Sequence, residues 1–143
     1  AKVEESKQHG ADHVVVSSDE AQMQAVAETF DFMLDTVPVQ HDINPYLAAL
    51  RYDGTHIMVG LMDPIEPAVQ GANLIFKRRV LAGSLIGGIA ETQELLDFCA
   101  EHKITCDVEM IDMQTINTAF ERMQKGDVRY RFVIDMASMK NAA

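Results

Sequence analysis

Three of the chain's eight glycines, Gly83, Gly87 and Gly88, fall within one short segment that reads GSLIGG. A short apolar run lies around them, and an amphipathic helix pattern follows. Backbone amides beside such small residues can donate hydrogen bonds to a planar amide or a phosphate, because little side-chain bulk blocks the approach. A plain structural bend between a strand and a helix is the alternative. The stretch from Ser84 to Gly88 is therefore a candidate ligand-binding turn.

Two other positions, Thr36 and Gly60, follow apolar runs that are typical of buried strands. The hydroxyl of a threonine at a strand end can bind a ligand, or it can bind the nearest backbone group. A glycine at a strand end leaves open a space that a Cβ would block, so a ligand could approach from above. A simple turn glycine is the alternative at Gly60.

No other group of residues has the spacing of a catalytic or metal site. The five histidines form no HxH or HExxH motif, and Cys99 and Cys106 have no CxxC spacing. We therefore predict no metal site in this chain and two free thiols in a reducing cytoplasm. No nucleophile lies beside a base, and Asp35 is interpreted as a strand-end residue rather than as a catalyst.

The candidate residues need a scaffold that brings strand ends together, and the chain alternates strand and helix patterns four times before Gly88. Such alternation predicts right-handed crossovers and a parallel, doubly wound sheet, in which ligands bind beyond the carboxyl ends of the strands. Thr36, Gly60 and Ser84 would then share one edge. The predicted strands lie around residues 14–16, 31–37, 55–61 and 80–88.

Helix signals surround these strands. Residues 2–8 read as a helix that Gly10 ends, and Ser18 or Asp19 can cap the next helix. A third helix is predicted to continue from Ile43 until Gly54. The basic cluster at residues 76–79 is interpreted as a solvated edge.

After Gly88 the pattern changes to a long amphipathic helix, a short strand, another helix and a final strand. These pieces are too small to build a second core alone, so we predict that they belong to another domain. The chain also begins inside a helix pattern without a capping residue, from which we predict that it is truncated.

The composition excludes two classes of partner. A formal net charge of -10 and a pI near 4.8 argue against a nucleic-acid-binding surface, which needs clustered Lys and Arg. No apolar run approaches the roughly 20 residues of a membrane span, and no signal peptide is visible.

Three segments together resemble the zinc-dependent medium-chain alcohol dehydrogenases, in the branch of cinnamyl alcohol dehydrogenase and the bacterial NADPH-dependent aldehyde reductases. The resemblance covers nearly the whole chain. The segments are FDFMLDTVPVQHDINPYLAALRYDGTHIMVG, KRRVLAGSLIGGIAETQELLDFCAEH and INTAFERMQKGDVRYRFVID.

The resemblance implies an α/β fold in two parts. Residues 1–86 would be the later half of a Rossmann NADP-binding domain, without the first βαβ unit and its glycine-rich turn. Residues 87–143 would be the C-terminal segment that returns to a GroES-like catalytic domain.

The resemblance also implies a function and a set of contacts. The parent enzyme would transfer a hydride between NADPH and an aldehyde or primary alcohol, with a zinc ion held by a missing N-terminal part. This portion would supply the nicotinamide-side contacts, would form a homodimer edge at residues 73–80, and would be inactive alone. Lys2 would be a remnant of the loop that binds the 2′-phosphate. The implied NADP contacts are Thr36, Gly60, Ser84, Leu85 and Ile86.

Two alternative functions remain open at this point. The chain could be a non-catalytic module that acts only in structure or oligomerisation. It could also belong to a zinc-free quinone reductase of the same superfamily.

Overall fold

The computed structural model describes the backbone of residues 2–141 and the side chains of residues 3–139. The side chain of Lys2, which the resemblance connects with the 2′-phosphate, therefore lies outside the described residues. The chain forms two compact units, Ala1–Ile86 and Gly87–Ala143. None of the described helices is long and apolar enough to cross a membrane.

Unit 1 contains a three-stranded, wholly parallel sheet in the order β1-β2-β3, with helices before and between the strands. The register places Asp35 of β1 beside Met58 of β2, and Met58 beside Gly83 of β3. The three strands therefore end at the same level. The elements are α1 (Lys2–Gln8), α2 (Glu20–Ala25), β1 (Phe30–Asp35), α3 (Asn44–Ala49), β2 (Leu50–Met58), α4 (Gly71–Ile75) and β3 (Val80–Gly83).

The core of unit 1 is a small apolar cluster between α3 and one face of the sheet. Ile43, Leu47 and Leu50 are fully buried, and Met62 joins them from the loop after β2. Side chains from all three strands, Met33, Met58 and Leu81, pack against this cluster. Burial of these residues holds α3 on the sheet, since each fully buried large apolar side chain contributes about 1.5–3 kcal/mol.

Two of the predicted helix ends are confirmed. Asp19 caps α2 by accepting a hydrogen bond from the Gln22 amide at 3.1 Å. Gly10 has a φ of +95° directly after α1, a conformation that glycine adopts without strain.

The predicted end of the third helix is wrong. α3 stops at Ala49, and Gly54 lies inside β2 rather than at a helix end. The reason is Arg79, whose guanidinium donates hydrogen bonds to the carbonyls of Ala48 and Leu50 and so satisfies the end of this short helix. Arg79 is itself buried, so the interpretation of residues 76–79 as a solvated edge is wrong at this residue, whereas the Arg78 side chain is 70% exposed.

The prediction of a strand at residues 14–16 is wrong as well. This segment pairs with none of the described strands. Its backbone bonds locally instead: the Val16 amide donates to Gln22 Oε1 at 3.0 Å, and the Val16 carbonyl accepts from the Asp19 amide at 2.9 Å. A β-branched run becomes a strand only where a neighbouring strand can pair with it.

Unit 2 begins with α5 (Ile89–His102), followed by β4 (Glu109–Asp112), α6 (Ile116–Gln124) and β5 (Phe132–Asp135). β4 and β5 pair in parallel, and α6 connects them. Arg122 of α6 donates to Glu109 at 3.0 Å and to Asp127 at 2.9 Å, and its guanidinium lies 4.9 Å from the centre of the Phe132 ring. Among the hydrophobic residues of unit 2 that the structure describes, only Ala119 is buried.

Candidate functional site at the carboxyl edge of the sheet

The candidate residues of unit 1 follow directly after the three aligned strand ends. Thr36 succeeds Asp35, Gly60 lies two residues after Met58, and Ser84 succeeds Gly83. Because Asp35, Met58 and Gly83 are register partners, these residues come out at the same edge of the sheet. We call Thr36, Gly60 and Ser84–Ile86 the carboxyl-edge shelf.

Thr36 brings a hydroxyl to this shelf. Among the described residues no protein group is hydrogen-bonded to that hydroxyl, so the alternative of a structural bond to nearby backbone is not what the structure contains. Thr36 also lines a cavity of about 190 Å³ that Asp35, His41, Tyr46 and His56 line with it. The hydroxyl can therefore donate to, or accept from, a polar group that enters from the edge.

Gly60 has a structural reason to be glycine. An added Cβ would lie 2.5 Å from the carbonyl oxygen of Val37 and 2.9 Å from the carbonyl carbon of Thr36. Real Cβ atoms do not come this close to backbone. The packing of the loop after β1 is therefore enough by itself to require glycine at this position, as in the alternative of a structural glycine.

The segment Ser84–Ile86 is open. Leu85 and Ile86 are both 89% exposed. The Ser84 amide is already used, since it donates to the Met58 carbonyl at 3.0 Å. The amides of Leu85 and Ile86 have no protein acceptor among the described residues, so two of the expected donors are available to a ligand.

The neighbouring glycine Gly83 has no packing reason of its own. An added Cβ at Gly83 would meet only the Met58 carbonyl oxygen, at an ordinary 3.8 Å. Its φ also lies outside the left-handed region that favours glycine. Within the described residues, the open space at this position is consistent with a group that approaches the shelf from outside.

Gly87 and Gly88 belong to the start of α5 in unit 2. The Gly88 amide donates to the Glu91 carboxylate at 2.7 Å, and the Thr92 hydroxyl donates to the Gly88 carbonyl at 2.9 Å. A Cβ on Gly87 would lie 2.9 Å from an oxygen of the same flexible carboxylate. Because the Glu91 carboxylate already supplies negative charge at this helix start, a second anion such as a phosphate is disfavoured there.

A polar cluster beside the shelf was missed in the sequence. Asp35 is 7% exposed, and its Oδ2 lies 3.0 Å from His41 Nε2 and 3.3 Å from His56 Nε2. His56 is 1% exposed, and its Nδ1 has no hydrogen-bond partner. Burial lowers the pKa of His56 below its ordinary 6.5, against the opposing pull of Asp35. A signal for this cluster was present, because a histidine in an otherwise apolar strand needs a polar partner.

The described residues contain no group of three or more His, Cys, Asp or Glu side chains that could hold a metal ion. Cys99 and Cys106 are free thiols. The described residues therefore do not provide the ligands that a zinc ion needs.

Comparison with known proteins agrees with this architecture. The family model described as "Zinc-binding dehydrogenase" matches residues 1–101. Aldehyde reductase YahK of Escherichia coli is 51% identical over 135 residues, which is 94% of this chain and 39% of the relative.

Two solved structures also match. The cinnamyl alcohol dehydrogenase SbCAD4 from Sorghum bicolor is 43% identical with a TM-score of 0.88, over 95% of this chain and 38% of that one. The CAD from Helicobacter pylori, complexed with NADP(H), is 36% identical with a TM-score of 0.68, over 80% of this chain and 34% of that one.

The chain thus spans well under half the length of the relatives that it matches. Within that span, the α/β fold with parallel strands corresponds to the C-terminal portion of medium-chain alcohol dehydrogenases, as the sequence predicts. The resemblance to the cinnamyl alcohol dehydrogenase and aldehyde reductase branch is confirmed. The chain belongs to the zinc-binding dehydrogenase family.

Proposed function

We propose that this chain supplies the nicotinamide-side contacts of a zinc-dependent oxidoreductase, which transfers a hydride between NADPH and an aldehyde or primary alcohol. The names of the relatives support the reaction: one is an aldehyde reductase and another a cinnamyl alcohol dehydrogenase. The Helicobacter pylori relative, complexed with NADP(H), supports the cofactor.

The observation that carries the proposal is the alignment of three parallel strand ends under the carboxyl-edge shelf. In doubly wound sheets, ligands bind at this edge because the loops after the strands open there. The Thr36 hydroxyl and the free amides of Leu85 and Ile86 are neutral donors, which suit the carboxamide of a nicotinamide. The amides of Ser84 and Gly60 are already bonded within the protein, so we propose that Ser84 contributes through its backbone carbonyl and that Gly60 keeps the loop after β1 in place.

NADPH, this chain and the zinc ion would have separate roles in the reaction. NADPH, when bound, supplies the hydride. This chain would bind and orient the nicotinamide ring and exclude water from one side of it. A zinc ion would polarise the substrate oxygen, but its ligands lie outside the residues described here.

The two units are proposed to belong to different domains of the enzyme. Residues 1–86 carry the parallel sheet and the shelf, as a cofactor-binding domain requires. Among the described side chains of residues 87–139, Ala119 is the one buried hydrophobic residue, which suits a segment that completes a catalytic domain.

We also propose a homodimer through residues 73–80. Ile75 and Phe76 are 75% and 78% exposed, next to a strand, β3, whose second edge has no partner among the described residues. Exposed apolar side chains beside an open strand edge are the features that a partner subunit covers.

The free cysteines suit the reducing environment of the cytoplasm, where we place the enzyme.

The proposal is tested with the natural full-length protein. NADPH oxidation is measured with an aromatic aldehyde and with a quinone, and bound metal is quantified. We expect aldehyde reduction and bound zinc. Quinone reduction without zinc would favour the zinc-free reductase, and no NADPH binding at all would favour the non-catalytic module.

A further inference from the structure

We propose that His41 is a proton-dependent positioning residue for the carboxyl-edge shelf: its imidazolium ties Asp35 to the loop after β1 and thereby fixes the backbone around Thr36 and Gly60. This inference rests on the proposed function, because it assigns to the shelf the task of holding the nicotinamide. His41 acts through Asp35 and does not need to touch the cofactor.

The charge on His41 follows from its two neighbours. Nδ1 lies 2.8 Å from the carbonyl oxygen of Val39, and Nε2 lies 3.0 Å from Asp35 Oδ2. A carbonyl oxygen can only accept a hydrogen bond, and so can a carboxylate oxygen. Both contacts are hydrogen bonds only when both ring nitrogens carry hydrogen. The neutral ring would lose one of them.

His56 has the opposite requirement. Its Nε2 faces Asp35 Oδ2 at 3.3 Å, while Nδ1 is buried without a partner. The neutral form with hydrogen on Nε2 makes the one available bond and leaves Nδ1 without a hydrogen. A proton on Nδ1 would be a buried, unsatisfied donor, which is costly. If the cluster of Asp35, His41 and His56 holds one proton beyond the two neutral rings, the geometry places that proton on His41 and not on His56.

Asp35 transmits the state of His41 to the shelf. Its Oδ1 accepts from the Val37 amide at 3.0 Å, and its backbone carbonyl accepts from the amides of Val59 and Gly60 at 2.9 and 3.1 Å. One residue thus holds the loop after β1 with its side chain and the end of β2 with its backbone. When His41 loses either of its two bonds, the ring no longer connects Asp35 to the Val39 carbonyl, and the loop after β1 is held less firmly.

The titratable groups that face His41 come from three elements. Asp35 is on β1 and His56 is on β2. Tyr46 of α3 meets the His41 ring edge-on, with 5.7 Å between the centres of the two rings. The His41 side chain is 20% exposed, so it can exchange its proton with solvent. Asp35 is the acidic member of this group.

The first test measures the rings directly. Nitrogen-15 NMR of histidine-labelled, natural full-length protein reports which ring nitrogens are protonated. At pH 6 we expect hydrogen on both nitrogens of His41, and hydrogen only on Nε2 of His56. A neutral His41 at this pH would overturn the inference, whatever the cofactor does.

The second test measures NADPH dissociation constants between pH 6 and pH 8 for the wild type, His41→Gln and the exposed His13→Gln. The wild type should bind NADPH about threefold to tenfold more tightly at pH 6 than at pH 8, the range expected from one hydrogen bond that only the doubly protonated His41 ring makes. His41→Gln should lack this component, and His13→Gln should keep it. The cofactor's own phosphate titrates equally in all three proteins, so the difference between them is the readout.

The outcomes separate the two claims. Identical pH profiles in the wild type and His41→Gln would overturn the positioning role while NADPH binding stands. No NADPH binding by the wild type would overturn the proposed function, and the positioning role with it. Should His41→Gln fail to fold, the NMR measurement on the wild type still decides the charge of His41.

Discussion

The α-carbon of Gly60 lies directly against the carbonyl group of Val37, so close that an added Cβ would stand 2.5 Å from the oxygen and 2.6 Å from the carbon. The loop after β1 and the end of β2 are thus packed backbone to backbone. Amides of Val59 and Gly60 complete this contact by donating to the Asp35 carbonyl. Two of the three strand ends under the shelf therefore hold each other.

Gly60→Ala should destabilise the protein. The extra methyl must push backbone aside, and overpacking of this kind costs about 1–3 kcal/mol. Chemical denaturation measures the loss in free energy of unfolding. Gly83→Ala is the matched control, since its Cβ would meet only an oxygen 3.8 Å away, and it should change stability by about 0.5 kcal/mol or less. Equal stability of the two variants would contradict the packing described here.

Arg79→Met should also destabilise the protein, by about 2–3 kcal/mol, because a charged donor to one buried and two partly buried carbonyls is lost. The guanidinium donates to Leu50 at 2.8 Å, to Asn73 at 3.1 Å and to Ala48 at 3.2 Å. Thermal and chemical unfolding both report this change.

The neighbouring Arg78→Met provides the control for Arg79. The Arg78 side chain is 70% exposed, and its ion pair with Asp53 is exposed as well. Such pairs contribute about 0–1 kcal/mol. If the Arg78 variant lost as much stability as the Arg79 variant, the cap on α3 would not be the function of Arg79.

His56 should make the protein less stable in acid. Its pKa in the folded protein lies below the ordinary 6.5, because burial disfavours the charged ring. At a pH between the pKa of His56 in the folded protein and its pKa in the unfolded chain, His56 is protonated only in the unfolded chain. The free energy of unfolding therefore falls as the pH drops below about 6.5. The free energy of unfolding of the wild type, relative to His56→Gln, should therefore decrease from pH 7.5 to pH 5.5.

His56→Gln leaves the other titratable side chains of the protein in place, so it is the reference for the wild type. Urea unfolding at several pH values gives the difference directly. A difference that stayed constant over this range would show that His56 takes up a proton in the folded state as readily as in the unfolded one.

Thr36→Val should weaken NADPH binding by about 1 kcal/mol, or roughly fivefold, the scale of one neutral hydrogen bond. Valine keeps the shape of threonine but removes the hydroxyl. Thr36→Ser keeps the hydroxyl and should bind NADPH nearly as the wild type does. Equal affinities in all three proteins would leave Thr36 with a structural role only. Fluorescence titration of the natural full-length protein measures these constants.

Sequence reasoning succeeded where the signal was local. The cap at Asp19 and the left-handed Gly10 are set by residues adjacent to the helix ends, and the amphipathic pattern of α5 is visible in its own sequence. The aligned ends of β1, β2 and β3 followed from the alternation of strands and helices, since parallel strands share one carboxyl edge.

It failed where partners are distant in sequence. Arg79 ends a helix 30 positions earlier, and His56 meets Asp35 only because their strands are neighbours in the sheet. The apolar run at residues 14–16 has the composition of a strand but lacks a neighbour to pair with among the described residues. Such long-range requirements are fixed by topology rather than by local pattern.

A crystal structure of the natural full-length protein with NADPH would show whether the nicotinamide ring lies on the carboxyl-edge shelf, as we propose. We predict that the carboxamide hydrogen-bonds to the amides of Leu85 or Ile86, with the ring beside Thr36. A well-ordered ring bound elsewhere, with those amides still open, would contradict the account.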